Sequence, residues 1–104
     1  FQSFIFSLSQ NFRTHHSVSF YAAEQCLTPR YFSTIVREKS GRNALQWIMM
    51  FIIAEAKKLL SDPDPSIKEI AETLGFSNQS FFGRYFKQYV GLSPMAFRSS
   101  GAEE

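Results

Sequence analysis

Two segments of this chain carry the same residue pattern about 50 positions apart. The offset is 49 residues before a predicted turn and 50 after it, which places one extra residue at the start of the second segment's second helix. Each segment predicts a helix of about eight residues, a turn of about three and a longer helix, which is helix-turn-helix geometry. The matching pairs are Val18/Ile67, Tyr21/Ile70 and Ala22/Ala71 before the turn, and Phe32/Phe82, Val36/Phe86 and Gly41/Gly91 after it.

A long apolar helix is predicted between the two segments, from Asn43 to Leu60. Two short helices cannot bury an apolar face alone, so this helix is expected to supply a shared core. A further helix should precede the repeat, with Phe6 lying off its apolar stripe and exposed. No strand alternation stands out. The sequence therefore predicts an all-α chain of about seven helices, organised as 1–42, a linker helix 43–60, and 61–104.

The charges are few but unevenly distributed. The 104 residues include 11 Lys and Arg against 9 Asp and Glu, a net charge of +2 that excludes a histone-like polycation. Residues 28–42 contain four basic residues and one acidic residue, and residues 77–91 contain two basic residues and none that is acidic. The second half of each segment is therefore the basic side of the molecule, as nucleic-acid binding requires.

The sequence gives little support for a disulfide, a metal site, catalysis or a membrane span. The single cysteine, Cys26, excludes an internal disulfide and is expected to be a small buried residue in a reducing compartment. The pair His15 and His16 has no further ligand at helical spacing, and no catalytic motif is recognisable. The longest apolar run, near residues 44–54, is far short of the roughly 20 residues of a membrane span. We expect no enzyme activity, no metal, no cofactor and no membrane partner.

Particular residues resemble a known family. The stretches 27–33, 67–71 and 75–87, with Gly41 and the run Gly91-Leu-Ser-Pro94, are similar to the DNA-binding domain of AraC/XylS-type transcription regulators. The resemblance implies a double-stranded DNA partner and two recognition helices in adjacent major grooves. It also implies a bacterial cytoplasmic regulator, associated with the nucleoid, that often activates transcription and recruits RNA polymerase. Because the chain begins at Phe1, we expect a fragment whose N-terminal effector or dimerisation domain is missing.

Two residues of the first segment depart from the family pattern. Cys26 stands where the turn usually has Gly, and a side chain tolerates a positive φ poorly, so this turn is expected to differ in shape from the second. Gln25 stands where an apolar residue is usual and is expected to weaken the first core. Whether the first unit docks fully on DNA stays open.

The N-terminal parts of the two longer helices supply the candidate base-reading residues, because that part of a recognition helix enters the major groove. Arg suits guanine, Asn and Gln suit adenine, and Phe81 suits a thymine methyl group. The resemblance carries over base contacts at most of these positions. The candidates are Arg30, Ser33, Thr34, Arg37, Asn78, Gln79, Ser80, Phe81 and Arg84.

Phosphate contacts are predicted at the ends of the same helices. The candidates are Thr28, Lys39, Arg42, Ser77 and Lys87. Other interpretations stay open: Lys39 and Lys87 would also complement helix dipoles, Gln79 and Ser80 would also suit solvent, and Phe81 would also suit the core. A helical protein–protein interaction module is the rival function, since aromatics make up 16% of the chain.

Overall fold

The computed structural model describes residues 1–101, and this part of the chain contains seven helices and no strands, as the sequence predicts. None of these helices is both long enough and apolar enough to cross a membrane. The helices are α1 (Gln2–Asn11), α2 (Val18–Glu24), α3 (Pro29–Ser40), α4 (Ala44–Ser61), α5 (Ile67–Thr73), α6 (Gln79–Val90) and α7 (Pro94–Ser100).

The chain divides into two compact units, and the division falls inside α4, between Phe51 and Ile52. The helix that the sequence predicts as a separate linker therefore contributes its first half to one unit and its second half to the other. In the first unit, α1, α2 and α3 precede this half-helix. In the second unit, the half-helix precedes α5, α6 and α7. Each unit is therefore a series of four helical segments, and the middle two segments, α2 and α3 or α5 and α6, form its helix-turn-helix pair.

The first unit is built around buried aromatic and aliphatic side chains. The Phe4 ring on α1 meets the Phe32 ring on α3 edge-on, with centroids 5.0 Å apart. Tyr21 on α2 is also buried, and its hydroxyl donates a hydrogen bond to the backbone oxygen of His15 at 2.7 Å. Phe6, which lies off the apolar stripe of α1, is 68% exposed, so the prediction of its exposure is confirmed.

The second unit has a larger aromatic core. Phe82 and Phe86 on α6 are fully buried, and the Phe86 ring packs edge-on against Phe97 of α7 at 5.5 Å. Arg98 of α7 donates from Nε to the backbone oxygen of Leu60 at 3.1 Å and from Nη2 to that of Asp62 at 2.9 Å. These two bonds satisfy carbonyl groups at the end of α4 that have no partner within the helix.

Equivalent helices of the two units have equal lengths. Helices α2 and α5 each have seven residues, and α3 and α6 each have twelve. The extra residue of the second unit therefore lies in the turn and not at the start of α6, where the sequence placed it. The reason is the N-cap: the side chains of Thr28 and Asn78 each accept a hydrogen bond from the third helical N–H, which fixes where each helix begins.

The two turns begin with the same conformation and differ by the extra residue only after it, so the expectation that Cys26 changes the shape of its turn is wrong. Cys26 has φ of 59° and Gly75 has φ of 82°, both in the left-handed region. The residue after each of them donates its backbone N–H to a carbonyl five residues earlier, Leu27 to Ala22 and Phe76 to Ala71, at 3.0 Å in both cases. Packing of the flanking helices therefore overrides the backbone preference of cysteine.

Cys26 is also exposed, which corrects the prediction that it is buried. Cys26 lies in the turn after α2, outside the helical positions at which Tyr21 and Ala22 are buried. Gln25 is exposed as well, and its side-chain amide donates to the Oγ of Ser3 at 3.1 Å. A pocket of about 70 Å³ lies beside Gln25, whereas Leu74 at the equivalent position is fully buried. The first unit is therefore packed more loosely here than the second.

Replacing Cys26 with Gly should stabilise the chain. A side chain in the left-handed region costs about 1–2 kcal/mol, and the greater freedom of Gly in the unfolded state offsets part of the gain. We expect the free energy of unfolding, measured by urea denaturation, to rise by about 0.5–1 kcal/mol.

The matched control is Cys26→Ala, which removes the thiol but keeps the strained Cβ. It should leave the free energy of unfolding unchanged within about 0.5 kcal/mol, as is usual for an exposed site. An equal gain in both variants would contradict backbone strain at this turn.

Candidate nucleic-acid interface

The first turn of α3 presents a polar face to solvent. Thr28 caps the helix, since its Oγ1 accepts the N–H of Tyr31 at 3.2 Å, and Pro29 occupies the first helical position. Arg30, Thr34 and Arg37 are all exposed on this helix, while Phe32 and Val36 face the core. The side chains at positions two, six and nine of the helix therefore form one outward face.

Helix α6 presents the same face at positions 50 residues further along the chain. Asn78 caps it, with Oδ1 accepting the N–H of Phe81 at 2.7 Å. Ser80, Arg84 and Lys87 are exposed, as are their counterparts on α3. No acidic residue occurs between 79 and 90, so the cationic groups of α6 have no counter-charge on their own helix.

Not every predicted base-reading side chain is equally available. Arg30 and Arg37 on α3, and Ser80 and Arg84 on α6, are exposed on one face of their helix, and Gln79 is exposed at the first position of α6. The Thr34 side chain is also exposed, although its hydroxyl donates to the backbone oxygen of Arg30 at 3.0 Å.

Two further candidates have polar atoms engaged within the fold. The side-chain oxygen of Asn78 is committed to capping α6. Ser33 is half-buried, and its Oγ accepts the N–H of Ala44 at 3.4 Å, which joins α3 to the start of α4.

Phe81 combines exposure with a fixed position. It is 45% exposed, yet its ring packs edge-on against Phe76, with centroids 5.7 Å apart. Phe76 in turn contacts the rings of Phe82 at 5.2 Å and Tyr85 at 5.1 Å. The ring of Phe81 is therefore neither a core residue nor a loose surface group.

The phosphate candidates lie around these helix faces. Thr28, Ser77, Lys39 and Lys87 are all exposed. A cleft of about 330 Å³ lies between α5 and the first turn of α6, next to Ser77. Lys68 and Glu72 of α5 also line it, and the sequence reasoning did not single them out. The available signal in the sequence was that both residues fall outside the apolar positions of this helix, Ile67, Ile70 and Ala71.

Arg42 has a packing partner that the sequence did not suggest. Its guanidinium carbon lies 5.8 Å from the centroid of the Trp47 ring, within the range of a cation–π contact. The Trp47 Nε1–H donates to the Oγ of Ser40 at 2.8 Å, and the same oxygen accepts the backbone N–H of Arg42 at 3.3 Å. Ser40 and Trp47 thus hold the turn that carries Arg42.

His15, one of the two adjacent histidines, packs against an aromatic ring. The His15 ring stacks on Phe20, with centroids 3.7 Å apart and planes 3° from parallel. Among residues 1–101 no group of three or more His, Cys, Asp or Glu side chains is placed to hold a metal ion.

Burial of two tyrosines makes the fold sensitive to alkaline pH. Burial, with a smaller contribution from Glu24, raises the pKa of Tyr21 to about 12, and burial with Tyr89 nearby raises the pKa of Tyr85 to about 12. Tyrosine in an unfolded chain has a pKa of about 10. The unfolded state therefore loses these protons first as the pH rises.

We expect the free energy of unfolding to be unaffected by these tyrosines below pH about 10 and to fall between pH about 10 and 12. Urea unfolding measured at a series of pH values checks this. The variant Tyr85→Phe should lose less stability across that window than the wild type. An identical loss in both chains would mean that Tyr85 does not carry a raised pKa.

Comparison with known proteins places this arrangement in a family. Residues 21–100 match a family model described as a helix-turn-helix domain. The arabinose operon regulatory protein of Escherichia coli K12 is 37% identical over 83 residues, which are 80% of this chain and 28% of that protein. The chain belongs to the AraC-type helix-turn-helix family. This AraC-type domain spans between a quarter and a third of the length of three curated relatives that it matches.

Solved structures share the fold of the AraC-type domain. The C-terminal domain of the two-component response regulator yesN from Fusobacterium nucleatum superposes with a TM-score of 0.86 at 21% identity, covering 93% of this chain and 95% of that one. The DNA-binding domain of AdpA, a global transcriptional factor solved in complex with a target DNA, superposes with a TM-score of 0.82 at 25% identity. That match covers 95% of this chain and 89% of the AdpA chain.

Proposed function

We propose that this chain binds double-stranded DNA in a sequence-specific manner, as the DNA-binding part of a bacterial transcription regulator. The observation that carries the proposal is the repeated exposed face of α3 and α6, polar and cationic in both units. The likeness to the AdpA domain, whose structure contains its target DNA, supports it. Each of the two helices would enter a major groove, and the two grooves would be adjacent.

Base reading is assigned to the exposed side chains of these faces. Arg30, Arg37 and Arg84 have the forked donors that match O6 and N7 of guanine, and Gln79 matches N6 and N7 of adenine. Ser80 and Thr34 add short-range contacts beside them. Asn78 and Ser33 are assigned the role of holding the helices in place, because their side-chain oxygens accept the hydrogen bonds that cap α6 and join α3 to α4.

Phosphate binding is assigned to residues at the edges of the two faces. Lys39, Arg42 and Lys87 neutralise backbone charge, while the hydroxyl groups of Thr28 and Ser77 donate to phosphate oxygens. The contact with Trp47 favours an extended, ordered guanidinium at Arg42. These contacts set the register of the helices on the duplex and carry no sequence information.

The remaining features of the regulator are proposed from the length of its relatives and from the resemblance to AraC-type regulators. The arabinose operon regulatory protein is more than three times as long as the segment matched here. We propose that the full regulator has an effector-binding or dimerisation domain, contacts RNA polymerase and acts in the cytoplasm at the nucleoid. The AraC-type domain itself binds DNA without catalysing a reaction.

A salt titration separates DNA binding from the rival function, a protein–protein interaction module. Three phosphate-neutralising cations predict that the logarithm of the affinity falls with the logarithm of salt concentration with a slope of about −3 or steeper. Fluorescence anisotropy with labelled duplexes selected from a random pool measures this slope. Affinity that does not change with salt, or no selection of duplexes at all, would overturn the proposal.

Two variants on α6 separate base reading from phosphate binding. Arg84→Ala should cost about 1–3 kcal/mol on a selected site and relax the preference at one base pair. Lys87→Ala should weaken selected and unrelated duplexes alike and make the salt slope shallower by about 1. Arg84 would not be a base-reading residue if its removal lowered the affinity for both duplexes equally.

A further inference from the structure

Both recognition helices carry an exposed aromatic ring at the third helical position. Tyr31 on α3 is 57% exposed and Phe81 on α6 is 45% exposed. The two residues are 50 positions apart, which is the offset of the repeat after the turn. Phe81 was among the predicted base-reading residues, and Tyr31 was not.

The backbone of each ring is fixed by the helix cap. The N–H of Tyr31 donates to Thr28 Oγ1 at 3.2 Å, and the N–H of Phe81 donates to Asn78 Oδ1 at 2.7 Å. Each ring therefore projects from the first turn of its helix, the part that enters the groove. A ring bound to DNA and the capping hydrogen bond would both restrain the first turn of the helix.

The neighbours of the rings on each helix are base-reading candidates. Thr34 and Arg84 stand three residues after Tyr31 and Phe81, on the same side of the helix. The contact between Phe81 and Phe76 restricts the ring before any ligand arrives, so binding would cost little conformational entropy. Phe81 is thus an ordered apolar ring with polar side chains beside it, and Tyr31 occupies the equivalent position on α3. An apolar ring at this position suits an apolar group on the DNA.

The major groove offers one such group, the C5-methyl group of thymine. We propose that Tyr31 and Phe81 each contact a thymine methyl, so that the preferred site has one methyl-dependent position in each half-site. This inference rests on the proposed function, since it specifies what the two recognition helices read. It makes Tyr31 a specificity-determining residue and assigns equivalent roles to the two rings.

Replacing thymine with deoxyuridine tests the inference, because it removes the methyl group and leaves the base-pairing edge unchanged. Each thymine of a selected duplex is replaced in turn, and the affinity of the chain is measured by fluorescence anisotropy. We expect two positions, one per half-site, at which the affinity falls about three- to five-fold, the effect of losing one buried methyl group.

Variants connect each position to its ring. Phe81→Ala should abolish the difference between thymine and deoxyuridine at one position, and Tyr31→Ala should abolish it at the other. Tyr31→Phe should keep the difference, because it retains the ring. Met95→Ala is the matched control: Met95 is 61% exposed but lies on α7, outside the recognition helices, so both differences should persist.

The outcomes separate a failure of DNA binding from a failure of the thymine-methyl contacts. Failure to bind any duplex would overturn the proposed function itself. Salt-dependent duplex binding without a difference between thymine and deoxyuridine at any position would overturn this inference alone. Loss of the difference in Met95→Ala, or tighter binding to single-stranded DNA than to the duplex, would also overturn it, since stacking on unpaired bases would then explain the exposed rings.

Discussion

A helix of seven residues is not stable in water by itself, because nucleation costs more than one or two turns of hydrogen bonds return. Helices α2 and α5 are each this short, so they depend on tertiary packing. Tyr21 and Ala22 on α2, and Ile70 and Ala71 on α5, supply it through full burial. The two turns follow from this dependence, since each must direct its next helix back onto the buried face.

The left-handed residue in each turn shows how strongly that packing acts. Gly75 adopts the conformation without strain, whereas Cys26 adopts it against the preference of its side chain. Burial of Phe32 and Val36 in one unit, and of Phe82 and Phe86 in the other, fixes the same direction for α3 and α6. Local strain of a kilocalorie or so is small beside the burial of two such side chains.

Helix positions and types could be predicted from the sequence because their signals are local. Asn78 and Ser66 mark helix starts by side-chain chemistry, and Gly41 and Gly91 mark helix ends. The shape of the turn at Cys26 could not be predicted, because it depends on contacts between helices. For the same reason the support of Arg42 by Trp47, and the half-buried position of Ser33, became visible only in the folded chain.

The separation of buried and outward-facing residues on α3 and α6 affects how the sequence of such a domain can change during evolution. Buried residues hold each helix in place, and a different set of residues faces outward, with half-buried positions such as Ser33 and Gly83 between the two sets. After a gene is duplicated, substitutions on the outward set can change the preferred operator without disturbing the core. Under the proposed function, the two half-sites can also evolve separately, so that an asymmetric operator would give the bound chain a defined direction along the DNA.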